Sequence, residues 1–263
     1  IADEWYDRIK AKVIGSVIDE SETTISGLDK DIQCSPRKIL STTIGDELKT
    51  ANKLSKVVSI SLKSSSSVLL GGHNADAAYW MDETTGEFTT SSYYRTELPT
   101  WVKEFNNRKF NDIYLAKTWN TLLPIETYTE SLPDRNDYEI GINYRTMFPY
   151  QLSLLSDSYR KYKILKTTPM GNSYMKDFAI NTIVGENLGK DQYTDLLMLS
   201  FSATDAIGLK YGPRSIEIED TYIRLDKDIE FFLQFIEKEL GKQNVLVFLT
   251  SCNGTAENPK HMI

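Results

Sequence analysis

Apolar and polar positions along this chain follow two ordered regimes, separated by a long stretch that keeps neither the strand nor the helix period. In the first regime Ser35 offers an N-cap and Pro36 fills the first helical position. Leu40, Ile44, Leu48 and Ala51 follow at helical spacing, which predicts a helix across that span. Val57-Val58-Ser59-Ile60 predicts a short buried strand, and Ser64 to Ser67 a small-residue turn ahead of Val68-Leu69-Leu70-Gly71-Gly72. Near Pro99 an amphipathic helix carries Trp101, Val102 and Phe105. From about Asn111 to Pro169, Tyr and Trp are frequent and prolines recur at Pro124, Pro133 and Pro149, so a cap or insert with little regular structure is expected. Order returns after Gly171-Asn172 with a helix through Phe178, Ile183 and Leu188, ended by Gly189. A strand over residues 196–201 follows, then a long helix with Ile218, Tyr222, Leu225, Ile229, Phe232, Ile236 and Leu240 on its apolar face, stopped by Gly241. Residues 245–250 predict a second strand. Strand, long helix, strand implies a right-handed crossover in a parallel sheet, with both strands near-continuous apolar runs because both faces are covered. The expected fold class is therefore α/β, a doubly wound and mostly parallel sheet with an irregular, aromatic-rich cap. Residues 1–110 and 171–263 would form the two parts of the core and 111–170 the insert.

Composition narrows the functions open to such a fold. In 263 residues, 40% apolar and 25% charged content supports a packed core, while a net charge of −7 disfavours a phosphate-backbone partner, so nucleic acid is not expected. No apolar run approaches the roughly 20 residues of a membrane span. The sequence opens with Ile1, so residues upstream of it are expected to have been removed or left out. Cys34 and Cys252 could pair in an exported protein, but two cysteines that far apart in sequence make no disulfide framework, and they read as two unpaired buried thiols. Asn253-Gly254-Thr255 matches the glycosylation sequon, which matters only in a eukaryotic secretory setting.

The strand ends are where open α/β sheets build their sites, which puts Asp205 and Cys252 on the same expected rim. Several blocks around that rim carry a resemblance. They are Ser35-Pro36-Arg37 with Thr43-Ile44-Gly45-Asp46-Glu47-Leu48, Ser59-Ile60-Ser61-Leu62-Lys63, Gly72-His73-Asn74-Ala75-Asp76-Ala77-Ala78-Tyr79-Trp80, and the run from Ser215 to Asp226. Together they resemble the phosphate-irrepressible bacterial alkaline phosphatases of the alkaline phosphatase superfamily, near the nucleotide pyrophosphatase/phosphodiesterase branch. The likeness runs from Trp5-Tyr6-Asp7 to Asn258-Pro259. It implies a periplasmic or exported protein and a two-zinc site that activates a threonine or serine and stabilises the leaving oxygen of a phosphoryl transfer. It also implies that the first catalytic strand, with the nucleophile, would precede Ile1, so no catalytic residue is expected in this chain. An upstream fragment or a second copy would then complete the sheet.

Set against that family, the site residues depart one after another. Asp3 stands where an asparagine would contact a phosphate oxygen. Lys63 remains of a Lys-x-Arg pair, with Ser65 in place of the arginine, and is read as a residual phosphate-binding residue. Asp205 remains as a metal-site acid within what would be D-x-x-G-H, but Leu209 takes the place of the histidine. Cys252 and Asn253 replace an Asp-His pair, and a distal histidine would lie beyond Ile263. Zinc prefers about four ligands in near-tetrahedral geometry. His73 and His261 are read as a scaffold residue and an exposed terminal residue, and Cys252 has no sequence neighbour to lower its pKa. The leading expectation is thus a degenerate alkaline-phosphatase-like protein with a binding or structural role toward an anionic or phosphate-ester ligand, and no cofactor. The alternative is a divergent zinc-dependent phosphomonoesterase or phosphodiesterase completed by residues outside this chain. A third reading is a carbohydrate- or peptide-binding module using the Tyr/Trp-rich cap.

Overall fold

The computed structural model describes residues 4–9, 11–26, 33–156, 158–251 and 254–256. Contacts divide the chain into two compact units, residues 1–108 with 181–200, and residues 109–180 with 201–263.

The first unit is built on a four-stranded sheet of order β5-β4-β3-β8. Strand β3 (Val57–Ser61) lies parallel to β4 (Ala77–Met81) and to β8 (Leu196–Ser200), and β5 (Phe88–Thr89) pairs antiparallel with β4. Every residue of β3 and β4 is buried, as expected for strands covered on both faces. Helix α2 (Ser64–Gly71) packs on β3, β4 and β8. A separate antiparallel hairpin joins β1 (Glu4–Asp7) and β2 (Lys12–Gly15). Cys34 is fully buried in a cluster with Val17, Val68, Ala78 and Trp80.

Two expectations for this unit are corrected. Helix α1 spans Ile44–Ala51 and starts at Thr43, whose hydroxyl accepts from the Asp46 amide while the Asp46 carboxylate accepts from the Thr43 amide. Ser35 caps no helix: its hydroxyl donates to Asp19 (2.5 Å) and accepts from the Arg37 amide (3.3 Å) in a local turn, and Leu40 is fully exposed. A true capping box outcompetes a lone Ser-Pro start. Ser64 to Ser67 also form the first half of α2 rather than a turn. Serine is a weak helix former, but Ser67 is buried and exchanges hydrogen bonds with Ser59 on β3 (2.7 and 3.1 Å), so tertiary contacts override propensity. The helix near Pro99 is present as α3 (Thr100–Asn107), with Val102 and Phe105 buried.

The second unit holds α4 (Phe110–Leu115), a two-stranded pairing of β6 (Thr118–Trp119) with β7 (Tyr150–Gln151), α5 (Leu152–Leu155), a 3-10 stretch at Lys161–Thr167, α7 (Ala203–Tyr211) and α8 (Ile216–Leu240). Helix α6 (Pro169–Gly185) contributes residues to both units, and its predicted stop at Gly189 comes four residues late. Helix α8 starts at Ser215, whose hydroxyl accepts from the Ile218 amide (3.2 Å), and ends at Gly241 with φ +83°, a conformation that glycine adopts without strain. Residues 245–250 are not a strand. They pair with no strand among the described residues, and Leu246, Val247, Phe248 and Leu249 are 55% to 82% exposed. The expected crossover through α8 is therefore not made. An uninterrupted apolar run becomes a buried strand only beside a free sheet edge, and pattern alone carries no information on whether one is within reach.

Candidate functional site

The carboxyl end of β3 sets the first part of the site. Ser61 closes the strand, and its hydroxyl donates to the Ser200 carbonyl at the end of β8 (3.2 Å) while accepting from the Lys63 amide (3.2 Å). Lys63, half-buried, is the residue from which α2 starts, so its side chain leaves the backbone where a helix N-terminus faces the strand end. Such a strand-to-helix turn favours anions, because the first amides of the helix lack intrahelical acceptors. Ser65 sits in the first turn of α2, buried, with no hydrogen-bond partner for its hydroxyl among the described residues. An arginine at that position would add a planar fork. Serine offers one short donor.

His73 is not part of this turn's chemistry. Its Nδ1 lies 3.4 Å from Asp46, whose carboxylate also accepts from the amides of Thr43 (2.9 Å) and Asn74 (2.7 Å). Burial works against the Asp46 charge, but these donors hold its carboxyl below the usual range.

In the second unit, Asp205 and Leu209 stand one turn apart on the exposed face of α7, Leu209 with 66% of its surface open. Gly208, between them, is buried, and a Cβ there would come within 2.3 Å of the Thr255 hydroxyl, so this glycine admits a close approach of the segment after the 245–250 run. Asp3, Cys252, Asn253 and His261 lie outside the described residues. Among the described residues, no three His, Cys, Asp or Glu side chains converge as a metal site would require. Of the two described positions that the resemblance assigns to zinc, Asp205 supplies a carboxylate and Leu209 no donor, and that pair does not fit the ion.

Two acids outside the predicted site residues are fully buried in the second unit. Asp220, fully buried, accepts from Trp119 Nε1 (2.7 Å), the Leu122 amide (2.6 Å), Tyr128 Oη (2.6 Å) and Arg224 Nε (2.7 Å). Glu217, also fully buried, accepts from Tyr150 Oη (2.5 Å), within a cluster where Trp119 packs against Tyr150 (5.2 Å between ring centres) and Tyr150 against Tyr211 (5.8 Å). Burial pushes the Glu217 carboxyl up to about 8 despite the Tyr150 bond. Burial, and then Glu217, pushes Glu139 up to about 9. The missed signal was helical phase. Glu217, Asp220, Thr221 and Arg224 form their own stripe at three- and four-residue spacing, beside the apolar stripe that contains Ile218.

Parallel strands that deliver a lysine to a helix N-terminus, in a mixed sheet covered by helices, define an α/β protein with a strand-end site suited to anions. The Type I phosphodiesterase / nucleotide pyrophosphatase family model matches residues 1–263, and the chain belongs to that family. Alkaline phosphatase PhoV of Synechococcus elongatus is 41% identical over 262 residues, covering 98% of this chain and 47% of PhoV. Alkaline phosphatase PafA of Elizabethkingia meningoseptica is 42% identical over 259 residues, covering 97% of this chain and 47% of PafA. The crystal structure of wild-type PafA matches with a TM-score of 0.85 at 40% identity, covering 92% of this chain and 47% of that one. The fold is thus that of the alkaline phosphatases, and the chain spans about half the length of the curated relatives it matches.

Proposed function

We propose that this chain is an alkaline-phosphatase-like scaffold with a binding or structural role, in which the strand-end turn at Lys63 retains affinity for a phosphate or phosphate-ester group and the zinc-dependent chemistry is lost. The observation that carries this reading is Leu209 on α7, an apolar side chain exposed one turn from Asp205 where the resemblance asks for an imidazole. Ser65 supports it, since a single hydroxyl replaces a bidentate cation on transferring phosphoryl oxygens. Losing one element of a set that acts together costs orders of magnitude in rate. The test is to assay the purified chain with an aryl phosphate and a bis-aryl phosphate, and to measure its zinc content. Turnover at background with substoichiometric zinc is expected; turnover that survives repurification and disappears with a chelator would overturn the reading.

A second reading rests on Gly208. Its close approach to Thr255 brings the chain three residues beyond Cys252 onto the helix that carries Asp205. A thiolate and a carboxylate from those positions would supply two of the about four ligands of a zinc site, with the rest coming from outside this chain in a divergent hydrolase. Stoichiometric zinc that is lost in Cys252→Ser would favour this alternative.

A further inference from the structure

A cavity of about 380 Å³ opens in the second unit between the first turn of α6, the middle of α8 and the residues leading into β6. Its polar wall holds Lys117, Thr118, Arg224, Lys227 and Asp228. The charges there do not cancel. Arg224 is matched by Asp220, and Asp228 accepts from Ser173 (2.6 Å), which lines the same cavity, and lies 3.4 Å from Nζ of Lys176, a cation outside the lining that it shares with Asp177 (3.0 Å). Lys117 sits over the Tyr114 ring (4.2 Å), a contact that leaves its ammonium hydrogens available, and neither Lys117 nor Lys227 meets a carboxylate among the described residues. Two unanswered ammonium groups therefore face one concavity on a chain of net charge −7. Both are exposed, so neither has to be desolvated before a ligand arrives.

We propose that this cavity binds a small tetrahedral dianion, held between Lys117 and Lys227 with the Thr118 hydroxyl as an added donor. Ammonium groups match such an anion as point charges, and the hydroxyl supplies direction. The cavity is larger than a free phosphate needs, and Leu122 and Met170 form an apolar wall, so an ester carrying a small organic group also fits. The site shares no residue with Lys63, Ser65 or Asp205 and does not depend on the function proposed above. Titration of the full chain with inorganic phosphate and with phenyl phosphate, followed by 31P NMR, tests it. In Lys63→Ala, which removes the strand-end turn from the titration, one saturable site is expected to remain, and adding Lys117→Ala/Lys227→Ala weakens it at least about tenfold, the scale of one lost charge-assisted contact. Equal affinities for the two probes would assign the site to free phosphate, and tighter binding of phenyl phosphate would assign it to an ester seated on the apolar wall. No saturable binding, binding unchanged in the double variant, or binding abolished by Lys63→Ala alone would each overturn the proposal. The two lysines are exposed on α8 and before β6, so circular dichroism of the double variant should match the parent.

Discussion

Glu217 carries a physical conflict at the level of a single side chain. Its carboxyl is buried in an aromatic cluster, one oxygen takes the Tyr150 hydroxyl, and the other has no partner among the described residues. A buried carboxyl in this position is held neutral, with its proton on through most of the neutral range. The unfolded chain releases that proton near the ordinary value of 4.5, and the folded chain only near 8. Between those values the folded state binds the extra proton, so its stability falls as pH rises from about 4.5 to about 8 and is flat in this group above that. Glu139 adds the same slope over a window reaching about 9. The effect from Glu217 should be of the order of a few kcal/mol. Thermal melts from pH 5 to pH 9 should therefore show a falling Tm, and Glu217→Gln, which keeps an acceptor for Tyr150, should flatten the curve and be relatively more stable at pH 9. A parent whose Tm rises over that range would rule out a neutral Glu217.

At the scale of elements, the sequence was most legible where one period ran on without competition. Strand β3, helix α3 and α8 from Ile218 to its Gly241 stop follow from apolar spacing and the glycine stop, while the Ser215 start is seen in the structure alone. It was least legible where two signals overlapped. On α8 apolar spacing points to the stripe with Ile218 as the buried face, yet Tyr222 is 58% exposed while Glu217, Asp220 and Thr221 are buried, because burial of acids depends on Tyr150, Trp119 and Tyr128, which arrive from far along the chain. The candidate site was legible as residue identities and not as shape: Asp205 and Leu209 were named from a motif, but their shared face exists only because residues 203–211 are helical. That shared face makes a prediction. Leu209→His would place an imidazole one turn from the Asp205 carboxylate, the i, i+4 spacing that suits two ligands of one ion. Calorimetry should show zinc binding at least about tenfold tighter than the parent, without gain of aryl phosphate hydrolysis. Identical zinc affinity in parent and variant would show that this face of α7 does not present the pair together.

Over the whole molecule, the exposed run at residues 245–250 is the feature least at home on a globular surface. Val245-Leu246-Val247-Phe248-Leu249-Thr250 has high strand propensity, no charge and no proline, and Val245 already has extended backbone angles, φ −125° and ψ 130°. Unpaired amides and carbonyls along such a segment are a template for strand pairing, and contiguous exposed apolar side chains add a hydrophobic drive. Strand β8 presents the complementary feature in the first unit: among the described residues it is the last strand of its sheet, paired only with β3, and its residues are half-buried where those of β3 are fully buried. Opposing association is the net charge of −7, whose repulsion between copies is screened over about 10 Å at 0.1 M salt. The balance should therefore depend on ionic strength. Sedimentation of the chain should show self-association that grows with protein concentration and with added sodium chloride, the reverse of what charge-driven pairing would give. Leu246→Lys/Phe248→Lys should abolish it without lowering Tm, since both side chains are about four-fifths exposed and contribute little to the folded core. A chain that stays monomeric at high salt, or a double variant that associates as strongly as the parent, would mean that the run is covered in solution by another part of the protein.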